Sequence, residues 1–333
     1  MLLLTQQSTP NKKVLNGTWF AFLNTNKLSP SLTFTIQLAG MYLTSSIFLD
    51  FIHNKKKGYN FNNRFFSHIF STGVTAYVVD DGVNIGHNEF EGRATRGYSA
   101  YEDDDTQDPN GGGHGTHVSG IIGGKTYGVA KNVSIVSVQV LDNSGSGTIS
   151  AVLGGIEYVT KQEGGKKNKV VVNMSLGMPE SSEGNPLNEA ISAAVEAGIP
   201  FFVAAGNSAD DACHQVPANN PDVYSVGSIN NKDTFDDFSC YGKCVSISAP
   251  GNNVKSAYIG GKDATEVMSG TSMASPHACG VAALLLPSLA DGTAPKDLYA
   301  EMTKIATTDK IEGIPDSATP NTLLFNGQQK TEQ

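Results

Sequence analysis

The sequence predicts an α/β protein built on a doubly wound, mostly parallel sheet flanked by helices. Three observations lead there. Beyond residue 72, short runs rich in Val, Ile and Ala alternate with stretches whose apolar residues recur at helical spacing. The runs are apolar throughout and do not alternate with polar residues, which is the pattern of strands buried on both faces. Polar residues able to do chemistry fall just past several runs, at the carboxyl ends of strands, where such sheets gather their sites.

The candidate strands, in order, are Val74–Val79, Val133–Val140, Lys169–Met174, Pro200–Ala205, Val223–Ser228 and Val245–Ala249. Between them, Thr148–Lys161 and Pro186–Ala197 read as amphipathic helices. A small-residue apolar helix, Ala278 through Leu286, follows the last strand. The first strand runs into Asp80-Asp81-Gly82, so a carboxylate emerges at its end. Gly111-Gly112-Gly113-His114-Gly115-Thr116-His117-Val118-Ser119-Gly120 is a glycine-dense approach to a helix that starts with histidine. Gly270-Thr271-Ser272-Met273-Ala274-Ser275-Pro276-His277 puts a serine at the entrance of the apolar helix, with Pro276 expected in its first turn, where a missing donor costs little.

Length and composition allow one large domain plus extensions: 333 residues, 39% of them hydrophobic. A formal net charge of −9 with no basic stripe argues against a nucleic-acid partner. Lys55-Lys56-Lys57 reads as a solvated turn. Glu102-Asp103-Asp104-Asp105 with Asp108 reads as a solvated loop, with a cation site or a preference for basic substrate residues as the sharper alternatives. Cys213, Cys240, Cys244 and Cys279 have no metal-ligand spacing and are too few for a disulfide framework. Cys279, on the apolar helix, is expected to be an inert buried thiol.

An acid, an imidazole and a hydroxyl are what hydrolysis through an acyl intermediate requires. The imidazole takes the hydroxyl proton, and the acid fixes the imidazole's tautomer and steadies its charged form. A hydroxyl at a helix start also meets unpaired N–H groups and the positive end of the helix dipole. Alone, Ser272 would be a cap and Asp80 a turn residue; together with the histidine segment they form a constellation. Spacing leaves His114 and His117 nearly equal as the base.

These motifs, in the order Asp, His, Ser, with Ala204-Ala205-Gly206-Asn207-Ser208 between the last two, resemble the subtilisin-like serine peptidases, in particular the fungal proteinase K and cerevisin branch. The resemblance runs from about Thr72 to Asn326. It implies a three-layer α/β/α fold over residues 71–328, preceded by an atypical leader, 1–70, with no recognisable propeptide, and followed by a polar tail, 329–333. It implies a serine endopeptidase of broad specificity: Asp80 orients, His114 is the general base, Ser272 is the nucleophile and Asn207 the oxyanion donor. His117 and His277 then become structural.

Ser175-Leu176-Gly177 and Gly145-Ser146-Gly147 resemble the two edges between which the family holds an extended peptide, and Ala204, Ala205 and Gly206 would leave room for a large apolar side chain. A Cys213–Cys244 bridge is implied by similar vacuolar enzymes, with Cys240–Cys244 the less favoured pairing. In the position of the family's tight calcium site, near Pro221 and Val223, a carboxylate is replaced by Ser246, so no metal and at most weak calcium binding is expected. The resemblance also implies polypeptide substrates, a monomer, and a secreted protein, with the vacuolar lumen as alternative.

Asp81 departs from this branch, which carries Asp-Thr/Ser-Gly. A second carboxylate beside Asp80 is expected to raise one of the two pKa values and favour the imidazolium form of His114, displacing activity toward higher pH. This departure and the foreign leader leave one rival reading, a catalytically impaired relative that binds peptides. An esterase on an α/β-hydrolase fold would need Gly-x-Ser-x-Gly and Ser before His, and neither is present. Leu28 to Leu49 is uncharged, yet its many hydroxyls and Pro30 argue against a membrane anchor. Asn16, Asn132 and Asn173 match the glycosylation pattern, with Asn173 expected to be inaccessible.

Overall fold

A computed structural model describes residues 71–326 apart from 105, 167–168 and 182–184, and three strand backbones nearer the N-terminus. The chain divides into two compact units, Met1–Phe61 with Gln329–Gln333, and Asn62–Gln328. In the first, β1 (Leu3–Gln6), β2 (Phe34–Leu38) and β3 (Met41–Thr44) pair antiparallel in that order. The rest of residues 1–70, with Lys55–Lys57 and Asn16, lies outside the described residues. β2 and β3 fall within the uncharged stretch 28–49. Among the described residues no helix is long and apolar enough to cross a membrane.

The second unit is built on a nine-stranded sheet. Its strands are β4 (Thr75–Asp80), β5 (Ala94–Ser99), β6 (Ser134–Gln139), β7 (Val170–Met174), β9 (Phe201–Ala204), β11 (Tyr224–Ile229), β12 (Ile247–Pro250), β15 (Thr307–Thr308) and β16 (Thr322–Leu323). Two antiparallel ribbons stand apart, β8 (Met178–Pro179) with β10 (Gln215–Val216) and β13 (Val254–Ala257) with β14 (Thr265–Met268). The sheet order is β15-β16-β12-β11-β9-β7-β4-β6-β5, and every neighbouring pair is parallel except β15–β16. β4 lies between β6 and β7, so the first long strand of this unit sits inside the sheet and Asp80 ends it.

Helices cover both faces. Alternate side chains of β4 show the partition: Ala76 and Val78 join one apolar core, Tyr77 and Val79 the other. The first core is closed by α1 (His114–Gly123) through Val118, Ile121 and Ile122, by α4 (Thr271–Leu285) through Met273, Ala278 and Ala282, and by α5 (Pro295–Ile305) through Leu298 and Met302. The second is closed by α2 (Ile149–Glu163) through Val152, Ile156 and Val159, and by α3 (Asn185–Glu196) through Leu187, Ile191 and Ala194. α2 starts where Thr148 accepts a hydrogen bond from the Ala151 N–H at 3.1 Å. Burying both faces of the strands is what lets them be apolar throughout.

One sequence expectation is corrected. α4 begins at Thr271, ahead of the expected Ala278, so Pro276 is its sixth residue and lies beyond the first turn. Here a proline removes an N–H that would have bonded the carbonyl four residues back, that of Ser272. Ser175 supplies the substitute: its Oγ donates to the Ser272 carbonyl oxygen at 2.7 Å.

Candidate active site

Asp80 is fully buried at the end of β4. Its Oδ1 accepts two hydrogen bonds, from the Asp81 N–H at 2.8 Å and from His114 Nδ1 at 2.8 Å. Nδ1 therefore carries a proton, and in the neutral ring Nε2 keeps a lone pair. His114 is the first residue of α1 and keeps 26% of its side chain exposed, which makes it the face of the pair that meets solvent.

Burial alone would lower the His114 pKa. The charge and hydrogen bond of Asp80, helped by Asp81, outweigh it and lift the imidazole from 6.5 to about 9. Asp81, also buried, is pushed up to about 7, first by burial and then by the charge of Asp80. Both shifts run in the direction expected from two adjacent carboxylates. His117, one turn further along α1, behaves differently. Its Nε2 shares the carbonyls of Val254 and Glu266 at 3.1 Å each, and burial drops its pKa to about 4. His277 bonds the Met273 carbonyl in its own helix at 2.8 Å and is also lowered by burial. Both rings are bonded to backbone carbonyls.

Ser272 is the second residue of α4. Its Oγ donates to the Ser175 carbonyl at 3.3 Å, and among the described residues no hydrogen bond joins it to His114. The alcohol is not linked to the imidazole in this arrangement; its acceptor is a backbone carbonyl just past β7. Asn207 is oriented by Thr271: its Oδ1 accepts from both the N–H, at 2.9 Å, and the Oγ1, at 3.0 Å, of that residue. The amide nitrogen is left to donate. Gly270, at φ 155°, keeps the space before it open. A Cβ there would stand 3.5 Å from Asn207 Nδ2 and 3.6 Å from the Ser272 nitrogen. The Asn207 amide and the Ser272 nitrogen thus lie around one point beside Gly270.

Along the imidazole runs a cleft of about 590 Å³. It is lined by Asp80, Asp81 and His114, by Gly145, Ser146 and Gly147 on one side and by Ser175, Leu176 and Gly177 on the other. Leu141, Val152, Met178 and Leu187 give it an apolar end, and Tyr258 closes another part while its OH donates to the Gly112 carbonyl at 3.1 Å. Ala204, Ala205 and Gly206 do not line this cleft. Ala204 and Ala205 are buried, and Gly206 turns the chain at φ 111°, where a Cβ would stand 2.8 Å from Cys240 Sγ. Sequence reasoning passed over Thr271, Tyr258 and the side chain of Ser175. Only Ser175 left a signal, in the carbonyl that Pro276 frees four residues back.

Cys213 and Cys244 form a disulfide, while Cys240 and Cys279 are free and buried. Asn173 is fully buried, with its amide bonded to Ser175 and Ser275. Ser246 Oγ accepts from the Ser225 N–H at 3.2 Å, and among the described residues no cluster of three His, Cys, Asp or Glu side chains could hold a metal. In the acidic loop, Asp104 accepts from Thr106, and Asn143 ties the loop to the cleft rim through Asp108 and Gln107.

Residues 71–322 match the model of the subtilase family. The chain belongs to that family. It is 43% identical over 283 residues to the subtilase-type proteinase psp3 of Schizosaccharomyces pombe, an alignment covering 83% of this chain and 61% of that protein. It is 43% identical over 287 residues to cerevisin of Saccharomyces cerevisiae, covering 80% of this chain and 44% of cerevisin. The crystal structure of a cold-adapted subtilisin-like serine proteinase superposes with a TM-score of 0.71 at 43% identity, covering 80% of this subtilase and 92% of that chain. The three-layer α/β/α architecture is therefore the family's. This chain spans about half the length of the two yeast relatives.

Proposed function

We propose that this subtilase is a serine endopeptidase that hydrolyses peptide bonds in polypeptides by way of an acyl-enzyme. One observation carries the reading. The His114 imidazole, proton-bearing on the Asp80 side, lines a peptide-sized cleft whose opposite edge, at Ser175, is hydrogen-bonded to Ser272.

In this reading the Ser272 hydroxyl leaves the Ser175 carbonyl and turns to His114 Nε2, which takes its proton as the oxygen attacks the peptide carbonyl. Charge then forms on the former carbonyl oxygen, where the Ser272 N–H and Asn207 Nδ2 meet it. His114 passes the proton to the leaving amine, the peptide bond breaks, and water activated by the same imidazole releases the acid. Asp80 holds the tautomer throughout.

Gly145–Gly147 and Ser175–Gly177 would pair with the backbone of an extended peptide, which favours broad specificity. The apolar end at Leu141, Val152 and Leu187 favours a hydrophobic side chain there. Action as a monomer outside the cell, with the vacuolar lumen as alternative and at most weak calcium binding, completes the proposal.

Casein digestion by the purified chain, with and without phenylmethylsulfonyl fluoride, tests it. Cleavage should be abolished by the inhibitor and in Ser272→Ala. A folded chain that neither cleaves casein nor takes up the label would instead indicate a peptide-binding relative.

A further inference from the structure

Immediately after Asp80 the chain buries a second carboxylate, and among the described residues no lysine or arginine pairs with it. Both its oxygens go to backbone. Asp81 Oδ1 accepts from the Gly115 N–H at 2.7 Å and Oδ2 from the His114 N–H at 3.1 Å. These groups open α1, whose own N-cap, Gly113, sits at φ 105° and has no side chain to offer. A helix start leaves its first N–H groups without intrahelical partners, and an Asp or Ser at the N-cap usually serves them. Here the cap comes from the end of β4.

Glycines let the two segments close together. A Cβ at Gly111 would run into the Asp81 backbone carbonyl and stand 2.8 Å from Asp81 Cγ, and one at Gly115 would run into the Gly82 carbonyl oxygen and stand 3.0 Å from Asp81 Oδ1. The glycine-dense approach to the histidine thus admits the Asp81 segment, carbonyl and carboxylate together. One captured nitrogen belongs to His114 itself, so the bond fixes the backbone from which the imidazole projects.

We propose that Asp81 is a positioning residue for hydrolysis, an N-cap donated by the sheet that sets the start of α1 and so holds the His114 ring against Asp80. The inference rests on the proposed peptidase function. The ring is faced by Asp80 and Asp81 from the β4 end and by His117 on its own helix, which is neutral above its lowered pKa. Asp81 is therefore also one of two negative charges that favour the imidazolium.

In Asp81→Asn, one amide atom can accept where two oxygens did, and the charge is gone. We expect kcat to fall about 10- to 100-fold with KM little changed, the cost of a slightly misplaced catalytic group. The acid limb of kcat/KM should also move down toward 6.5, which loss of fold alone would not produce. Rates are normalised to sites labelled by phenylmethylsulfonyl fluoride. Hydrogen exchange in the unaltered protein needs no variant: the His114 and Gly115 amides should be as protected as the middle of α1. A wild type that never cleaves would fail the peptidase reading itself. A cleaving wild type with an Asp81→Asn profile matching its own, or with unprotected amides at 114 and 115, would overturn this inference.

Discussion

Ser175 and Ser272 are joined twice: Ser175 Oγ donates to the Ser272 carbonyl at 2.7 Å, and Ser272 Oγ donates to the Ser175 carbonyl at 3.3 Å. The first bond exists because Pro276 cannot serve that carbonyl from within α4. The second parks the proposed nucleophile on the strand that would hold the substrate. A peptide pairing with Ser175–Gly177 would compete at this edge, so in the proposed mechanism substrate binding and release of the hydroxyl would be coupled through one residue.

Ser175→Ala should therefore leave the Ser272 carbonyl without its substitute donor at a site where Ser175 is only 4% exposed. An unsatisfied buried acceptor costs about 1–3 kcal/mol, so denaturant titration should show a stability loss of that order. Activity per labelled site should fall as well. A stability unchanged within a few tenths of a kcal/mol would mean the bond is not formed.

Asn207→Ala removes one of the two proposed oxyanion donors. Turnover should drop about 10²–10³-fold with KM little altered, a scale taken over from the corresponding donor in subtilisin. A rise in KM at constant kcat would show that the amide holds the ground state instead.

The pH dependence has a definite sign. His114 acts as a base only when neutral, and its pKa is raised from 6.5 to about 9, so kcat/KM should climb through the alkaline range. By linkage, the His114⁺–Asp80⁻ pair adds stability that is fully present below pH 6.5 and lost as pH rises through about 9. Activity and this part of stability thus move in opposite directions. An acid limb centred near 6.5 would contradict the electrostatic account.

His117 gives the converse. Its pKa is depressed to about 4 by burial, so the unfolded chain binds the proton more tightly. Its contribution is present above pH 6.5 and lost as pH falls toward 4. Melting temperature should decline over that window, and less so in a His117→Gln variant that still folds. Equal slopes in both proteins would remove His117 as the cause.

The sheet was legible because strands buried on both faces must be apolar throughout, and the described strands 4, 6, 7, 9, 11 and 12 lie within a residue or two of the runs read from sequence. β5 escaped notice because Ala94–Ser99 is an edge strand with exposed Thr95 and Arg96, which carries no apolar run. The candidate site was legible as motifs, since Asp80 is the last residue of β4 and Ser175 and Asn207 lie just beyond β7 and β9. Its internal wiring was not. Which carbonyl Ser272 faces, and that Asp81 reaches forward to the start of α1, depend on rotamers and on contacts across 97 and 33 residues of sequence. Periodicity does not encode such contacts. The early start of α4 was missed because Thr271–His277 contains polar residues and a proline, and the helix there is held by Asn207 and Ser175.

The most direct test is mass-spectrometric mapping of phenylmethylsulfonyl fluoride adducts at pH 9, comparing the unaltered chain with His114→Ala. The account predicts one adduct per molecule on Ser272, with labelling slowed by orders of magnitude when His114 is removed. Adducts on another residue, or equal labelling of Ser272 with and without the imidazole, would contradict it.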